Sequence, residues 1–237
     1  MGIEEITLGK IAVAGLLFSS LTPYNSSLAK FRKDTGYCLS LTSQGHVDAL
    51  LKWLNAWGCR HLSKKNHQDA SRSILVWYQK HRAILFTDKA PLWQLDDREI
   101  RTAADTYGSL KSRIGARRLR DGVEVVVPIG PTAASKVLFA LRPKALMPWD
   151  EAMRKSFKCD GSPESYVKYL TIMRSITLHI ADLCRSKGFE IDDLPAKIGR
   201  AGSTVLELLN EYIWVKTRET RIRLPSPETL ARWASLG

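Results

Sequence analysis

Apolar residues recur along this chain mainly at helical spacing. Between His46 and Trp57, the residues Val47, Leu50, Leu51, Leu54 and Trp57 return at i, i+3 and i+4, so they share one face of a helix. Ala70, Ile74, Tyr78 and His81 align in the same way over about Gln68 to Ile84, and a more polar helix is predicted between Asp97 and Lys111. Ser162-Pro163-Glu164 combines a serine cap, a proline at the first helical position and an acid in the first turn. Tyr166, Leu170, Met173, Ile176, Ile180 and Leu183 follow it on one face, up to a stop at Gly188. Thr204-x-x-Glu207 is a capping box opening another helix, with Val205, Leu208, Leu209 and Tyr212 inward, and Ser226-Pro227-Glu228 repeats the start signal. Only Ala83–Phe86 and Val123–Pro128 read as strands. The expected fold class is therefore mostly α, with room for a small irregular N-terminal part.

One stretch breaks the amphipathic rule. After the turn signal Ile129-Gly130-Pro131, a very apolar helix runs to Leu141 and stops before Pro143, yet it carries Lys136. A proline-flanked loop then leads to Asp150 at the start of the next helix. From Lys136 to Arg142 the helix advances roughly 9 Å at about 1.5 Å per residue, so the loop has ample length to bring Asp150 back beside Lys136. The plain readings are a lysine that snorkels to water and an aspartate that caps a helix. If the two face each other across a cleft, they make a site.

Composition narrows the partner. The chain has 237 residues, 44% hydrophobic and 25% charged, with a net charge of +12. That length supports a substantial core, and that charge favours an anionic partner, nucleic acid before an anionic membrane. "KSRIGARRLR" (Lys111–Arg120) holds five basic residues and no acid. Arg117, Arg118 and Arg120 are candidates for following a DNA backbone, against the plain reading of a solvated helix face. Arg154, Lys155 and Lys158, behind Asp150, are further phosphate contacts, whereas "KTRETRIR" (Lys216–Arg223) reads first as a solvated end.

The apolar run Ile11–Leu21 follows Glu4 and Glu5 and is too short to span a bilayer, so a buried element is expected and no membrane partner. Four scattered cysteines fit reduced thiols in a cytoplasmic protein rather than a disulfide framework. Cys59, His61 and His67 form the one local ligand cluster and lack a fourth member, so no metal is expected.

Gly130, then Lys136 on an apolar helix, then "MPWD" opening another, resembles the helix-hairpin-helix DNA glycosylase superfamily, nearest its divergent 8-oxoguanine glycosylase-like branches. The resemblance implies Lys136 as the catalytic lysine of bifunctional members and Asp150 as the essential aspartate, with the Gly130 hairpin gripping a DNA phosphate. It covers about thirty residues, with weaker helical agreement to about Arg218. The hairpin has one glycine rather than two, Ala152 stands where a histidine is common, and the iron–sulfur loop of one branch is absent.

Such an enzyme flips a damaged or modified nucleotide and breaks its N-glycosidic bond. The sugar becomes cationic as the bond breaks, which a carboxylate stabilises, and a desolvated amine is a nucleophile. Trp149, beside the aspartate, and Phe139 are the candidates for holding the base; Trp53, Trp57, Trp77 and Tyr78 are further candidates whose helical spacing reads first as core. The expected organisation is an N-terminal helical region, 1–110, and a hairpin-containing catalytic region, 111–237, forming one unit with a cleft between them. A monomer without cofactor is expected, acting on an oxidised purine or on a modified cytosine of the kind found in phage DNA, the latter a defence role. The rival reading is a non-catalytic DNA-binding module that keeps the hairpin.

Overall fold

The computed structural model describes residues 6–86 and 90–218; the Ser226-Pro227-Glu228 start signal lies outside them. Ten α-helices and one antiparallel hairpin occur among the described residues. In chain order these are α1 (Leu8–Leu21), α2 (Tyr24–Asp34), α3 (Gln44–Ala56), α4 (His67–Phe86), α5 (Asp97–Lys111), β1 (Ile114–Arg120) and β2 (Val123–Pro128). They continue with α6 (Gly130–Leu141), α7 (Glu151–Ser156), α8 (Pro163–Ser186), α9 (Leu194–Lys197) and α10 (Val205–Lys216).

The starts of these helices follow from their caps. Asp96 and Glu99 form a reciprocal capping box on α5, each hydrogen bond 2.7 Å. Ser162 Oγ accepts from the Ser165 amide at 3.1 Å and Thr204 Oγ1 from the Glu207 amide at 3.2 Å. At Thr204 the box is incomplete in the strict sense. The Glu207 carboxylate accepts from the Thr204 hydroxyl (3.1 Å) instead of reaching the cap's backbone N–H, because Arg32 holds it.

Two expectations change. Ala83–Phe86 is the last turn of α4, not a strand: the twenty-residue helix carries its register through the run, so helical continuity overrides local β-propensity. The basic run is not a helix face either. Lys111 ends α5, and Ile114–Arg120 pairs with Val123–Pro128 as a two-stranded ribbon. Asp121 and Gly122 turn the chain at φ of 52° and 79°, the paired positive angles of a tight hairpin turn.

One hydrophobic core draws on every long helix. α8 runs through it, burying Tyr166, Tyr169, Leu170, Met173, Ile176 and Ile180. Elements of the two sequence regions interleave: α1 packs on α10, α5 on α8 and α6, and α3 on α6. A buried acid of α10, Glu207, pairs with Arg32 of α2, and a second, Glu211, pairs with Arg200 of the segment leading into α10 (2.7 Å). Gly15 of α1 passes so close that a Cβ there would lie 3.1 Å from Glu211 Oε2 and 3.3 Å from Arg200 Nη1. Ile11–Leu21 belongs to α1, and buries only Ile11, Ala14, Gly15 and Phe18 of its length. Among the described residues, no helix is long and apolar enough to cross a membrane.

Candidate functional site

The segment before Asp150 is held from both sides. Trp149 donates its amide to Ser135 Oγ (3.2 Å) and its indole N–H to the Pro131 carbonyl (3.2 Å), tying it to α6. Tyr166 and Tyr169 of α8 donate their hydroxyls to the carbonyls of Met147 (2.9 Å) and Pro148 (3.1 Å). A buried loop needs such partners for its backbone, and here they also fix where Asp150 emerges. Asp150 caps α7, its Oδ1 accepting from the Met153 amide at 2.9 Å, while Oδ2 accepts from the Arg218 guanidinium.

Gly130 opens α6 at φ 78°, which glycine adopts without strain, and Pro131 follows in the first turn. His61 pins this junction: an Nε2–H donates to the Ile129 carbonyl across 3.0 Å, and burial lowers the imidazole pKa. Nearly two turns into α6, Lys136 is 7% exposed. Its ammonium donates to the Trp57 carbonyl and lies 5.4 Å from the centre of the Trp57 ring.

Lys136 and Asp150 line one cleft of about 650 Å³. Its walls come from both sequence regions: Phe18, Tyr24, Trp57 and His61 on one side, α6, α7 and α10 on the other. Burial lowers the Lys136 pKa from its ordinary 10.5, with the nearby Cys59 and Asp150 opposing the shift and the Arg218 charge adding to it. Burial also lifts the Cys59 thiol above its ordinary 9.0 despite Lys136, so around neutral pH the thiol carries its proton. Asp150 is then the anion that acts on the amine. The arrangement is a partly desolvated amine and a carboxylate facing one water-accessible space.

The other expected residues separate into those at the cleft and those away from it. Gly130, Trp149, Arg154 and Lys155 line it. Arg154 lies over the Trp149 ring at 5.9 Å with a buried Nη1 that has no hydrogen-bond partner among the described residues, whereas Lys155 is paired with Glu151 at 2.6 Å. The ring of Trp149 packs among Tyr107, Tyr166 and Tyr169 with no exposed surface, and Phe139 is buried against Trp57. Both rings are core. Arg117 is paired with Glu124 (2.6 Å) and Asp69 (3.6 Å), and Lys111 is used internally on the Gly161 carbonyl (2.8 Å). Arg118 and Arg120 have no ion pair among the described residues.

Three residues of the cleft escape a reading of the sequence. Asn210, Trp214 and Arg218 stand at i, i+4 and i+8 along α10 and its end, so they form one wall. Asn210 is 7% exposed and its side chain has no hydrogen-bond partner among the described residues. Trp214 meets Phe18 edge to face at 5.1 Å, and Arg218 covers its ring at 4.2 Å. The i, i+4 spacing was their signal, but on an apolar helix it is also the signature of a core face.

No group of three or more His, Cys, Asp or Glu that could hold a metal ion occurs among the described residues. All four cysteines are free. Compared with protein-family models, with curated proteins and with solved structures, the chain gives no match.

Proposed function

We propose that the protein is a DNA N-glycosylase of the helix-hairpin-helix type, which extrudes a damaged or modified nucleotide into the cleft and releases its base. The observation that carries this reading is the meeting of Lys136 and Asp150 in one cleft, with the amine buried and its pKa lowered. The neutral amine attacks C1′ of the sugar; the N-glycosidic bond breaks with its electron pair leaving on the base, which takes up a proton. The nitrogen then gives up one proton and its lone pair expels O4′ from C1′, so the sugar ring opens to a protonated Schiff base as O4′ takes up a proton; loss of a C2′ proton then expels the 3′ phosphate and cleaves the strand. Asp150 stabilises the positive charge that develops on the sugar. Arg218 must yield Oδ2 for this, and a DNA phosphate is the natural alternative partner for its guanidinium.

Because the rings of Trp149 and Phe139 are core, holding the base falls to the partly exposed Trp214 and Tyr24, with Asn210 offering an amide donor and acceptor to the base edge. Gly130 and the start of α6 supply backbone amides for a phosphate. The target is an oxidised purine or a modified cytosine. The test is incubation with duplexes of each modification status and identification of released bases by mass spectrometry. Release of one modified base is expected; no release from any of them counts against the reading.

A non-catalytic DNA-binding module is the second reading. It is favoured by the structural uses of both residues: Asp150 caps α7 and pairs with Arg218, and Lys136 holds the Trp57 carbonyl. A pure binder is indifferent to Asp150→Asn.

A further inference from the structure

The β1–β2 ribbon has two chemically different faces. Its register pairs Arg118 with Val125 and Arg120 with Val123 on one face, and Arg117 with Val126 and Leu119 with Glu124 on the other. The second face is neutralised: Arg117 is bound to Glu124 across the ribbon and to Asp69 of α4, against which β1 packs. The first face holds two arginines without an ion pair among the described residues, two exposed valines and no acid. The ribbon stands beside the cleft, since β2 runs directly into Ile129 and Gly130 of the cleft wall.

Resting on the DNA reading above, we propose that this unneutralised face, Arg118 and Arg120 with Val123 and Val125, is a docking surface for the sugar–phosphate backbone of double-stranded DNA flanking the cleft. Residues two apart on a strand are about 6.8 Å apart, which matches about two steps of the 3.4 Å rise along one DNA strand. Two guanidiniums at that spacing can each meet a phosphate of the same strand, and the valines between them offer apolar contact to sugars. A two-stranded ribbon is also narrow enough to lie along a groove edge. Arg117 belongs to the fold of the ribbon and not to this surface.

The face assignment makes the test internal. Binding of the full chain to an unmodified duplex is measured by fluorescence anisotropy across a salt series. Each neutralised phosphate contributes about 0.9 to the slope of log K against log salt, so Arg118→Ala/Arg120→Ala should lower the slope by close to two such contributions. Arg117→Ala should leave it unchanged. Val125→Glu and Val126→Glu, adjacent on β2 but on opposite faces, form a second pair: the first should weaken binding at least tenfold and the second far less. An unchanged slope in the double variant, or equal losses at Val125 and Val126, overturns the docking face while leaving base release by the cleft to stand. A wild-type chain that does not bind duplex DNA overturns both.

Discussion

Lys136 and Arg118 are both basic, but their surroundings give them opposite properties. Lys136 sits inside α6 among Val137, Leu138 and Phe139, where burial penalises its charge and makes the neutral amine accessible. Arg118 stands on an exposed ribbon, and a guanidinium keeps its charge at any working pH. A lysine can change protonation state and so take part in bond making; an arginine in solvent is a fixed charge suited to phosphate. The cleft cation is read as chemistry and the ribbon cations as grip, and each variant below attacks one side of that distinction.

The largest effect is expected at Lys136. Lys136→Gln should lose base release by about 1000-fold or more, as expected when a nucleophile is removed, and should also lose the protein–DNA adduct trapped by borohydride. Lys136→Arg keeps the charge but cannot form a Schiff base, so it should lose the adduct as well. If the Arg variant retains base release and accumulates intact abasic sites, water is the nucleophile and Lys136 acts through its charge.

Asn210→Leu, nearly isosteric, should reduce base release by about 1–3 kcal/mol of transition-state stabilisation if its amide meets the base edge. Binding to unmodified duplex should not change. A variant with full activity and full discrimination between bases would remove Asn210 from the base site.

Arg218→Gln has a smaller, directional effect. The Arg218 charge helps to depress the Lys136 pKa, so removing it should raise that pKa. The rise of kcat with pH, which follows deprotonation of the amine, should then move to higher pH. A shift the other way would mean that Arg218 acts on catalysis by another route.

The smallest effect is on stability. The Lys136 pKa is lower in the folded chain than the ordinary 10.5, so between those two values the unfolded chain binds more protons. The burial penalty is fully present below the folded pKa and is relieved as pH rises through it. Stability of the wild type should therefore increase with pH across that window relative to Lys136→Met. Parallel curves for the two proteins would contradict the lowered pKa.

What could be read from the sequence differs by region for a physical reason. The α6–α7 segment announces itself locally: Gly130-Pro131 opens a helix, Pro143 follows its end, and Asp150 occupies a cap, so both site residues were legible. The α10 wall was not. Asn210 and Trp214 share a helical face with core residues, and only the packing of α1 and α2 turns part of that face toward a cleft. Arg218 reads as the start of a solvated basic end until the fold sets it beside Asp150. Trp149 misled for the converse reason: adjacency to Asp150 in the chain put its ring on the opposite side, among the α8 tyrosines. The ribbon was half legible, since Val123–Pro128 has strong β-propensity, but its arginine-rich partner does not. The Asp121-Gly122 turn joins them into a hairpin.

The central claim is that the cleft breaks a glycosidic bond with Asp150 as its essential carboxylate. The direct measurement is mass-spectrometric detection of free base after incubating wild type and Asp150→Asn with duplexes carrying oxidised purines or modified cytosines. Asparagine keeps the shape and the cap on α7 but not the charge. Wild type should release one class of modified base, and Asp150→Asn should release it at least about 100-fold more slowly with DNA affinity nearly unchanged. Undiminished release by Asp150→Asn would contradict the account.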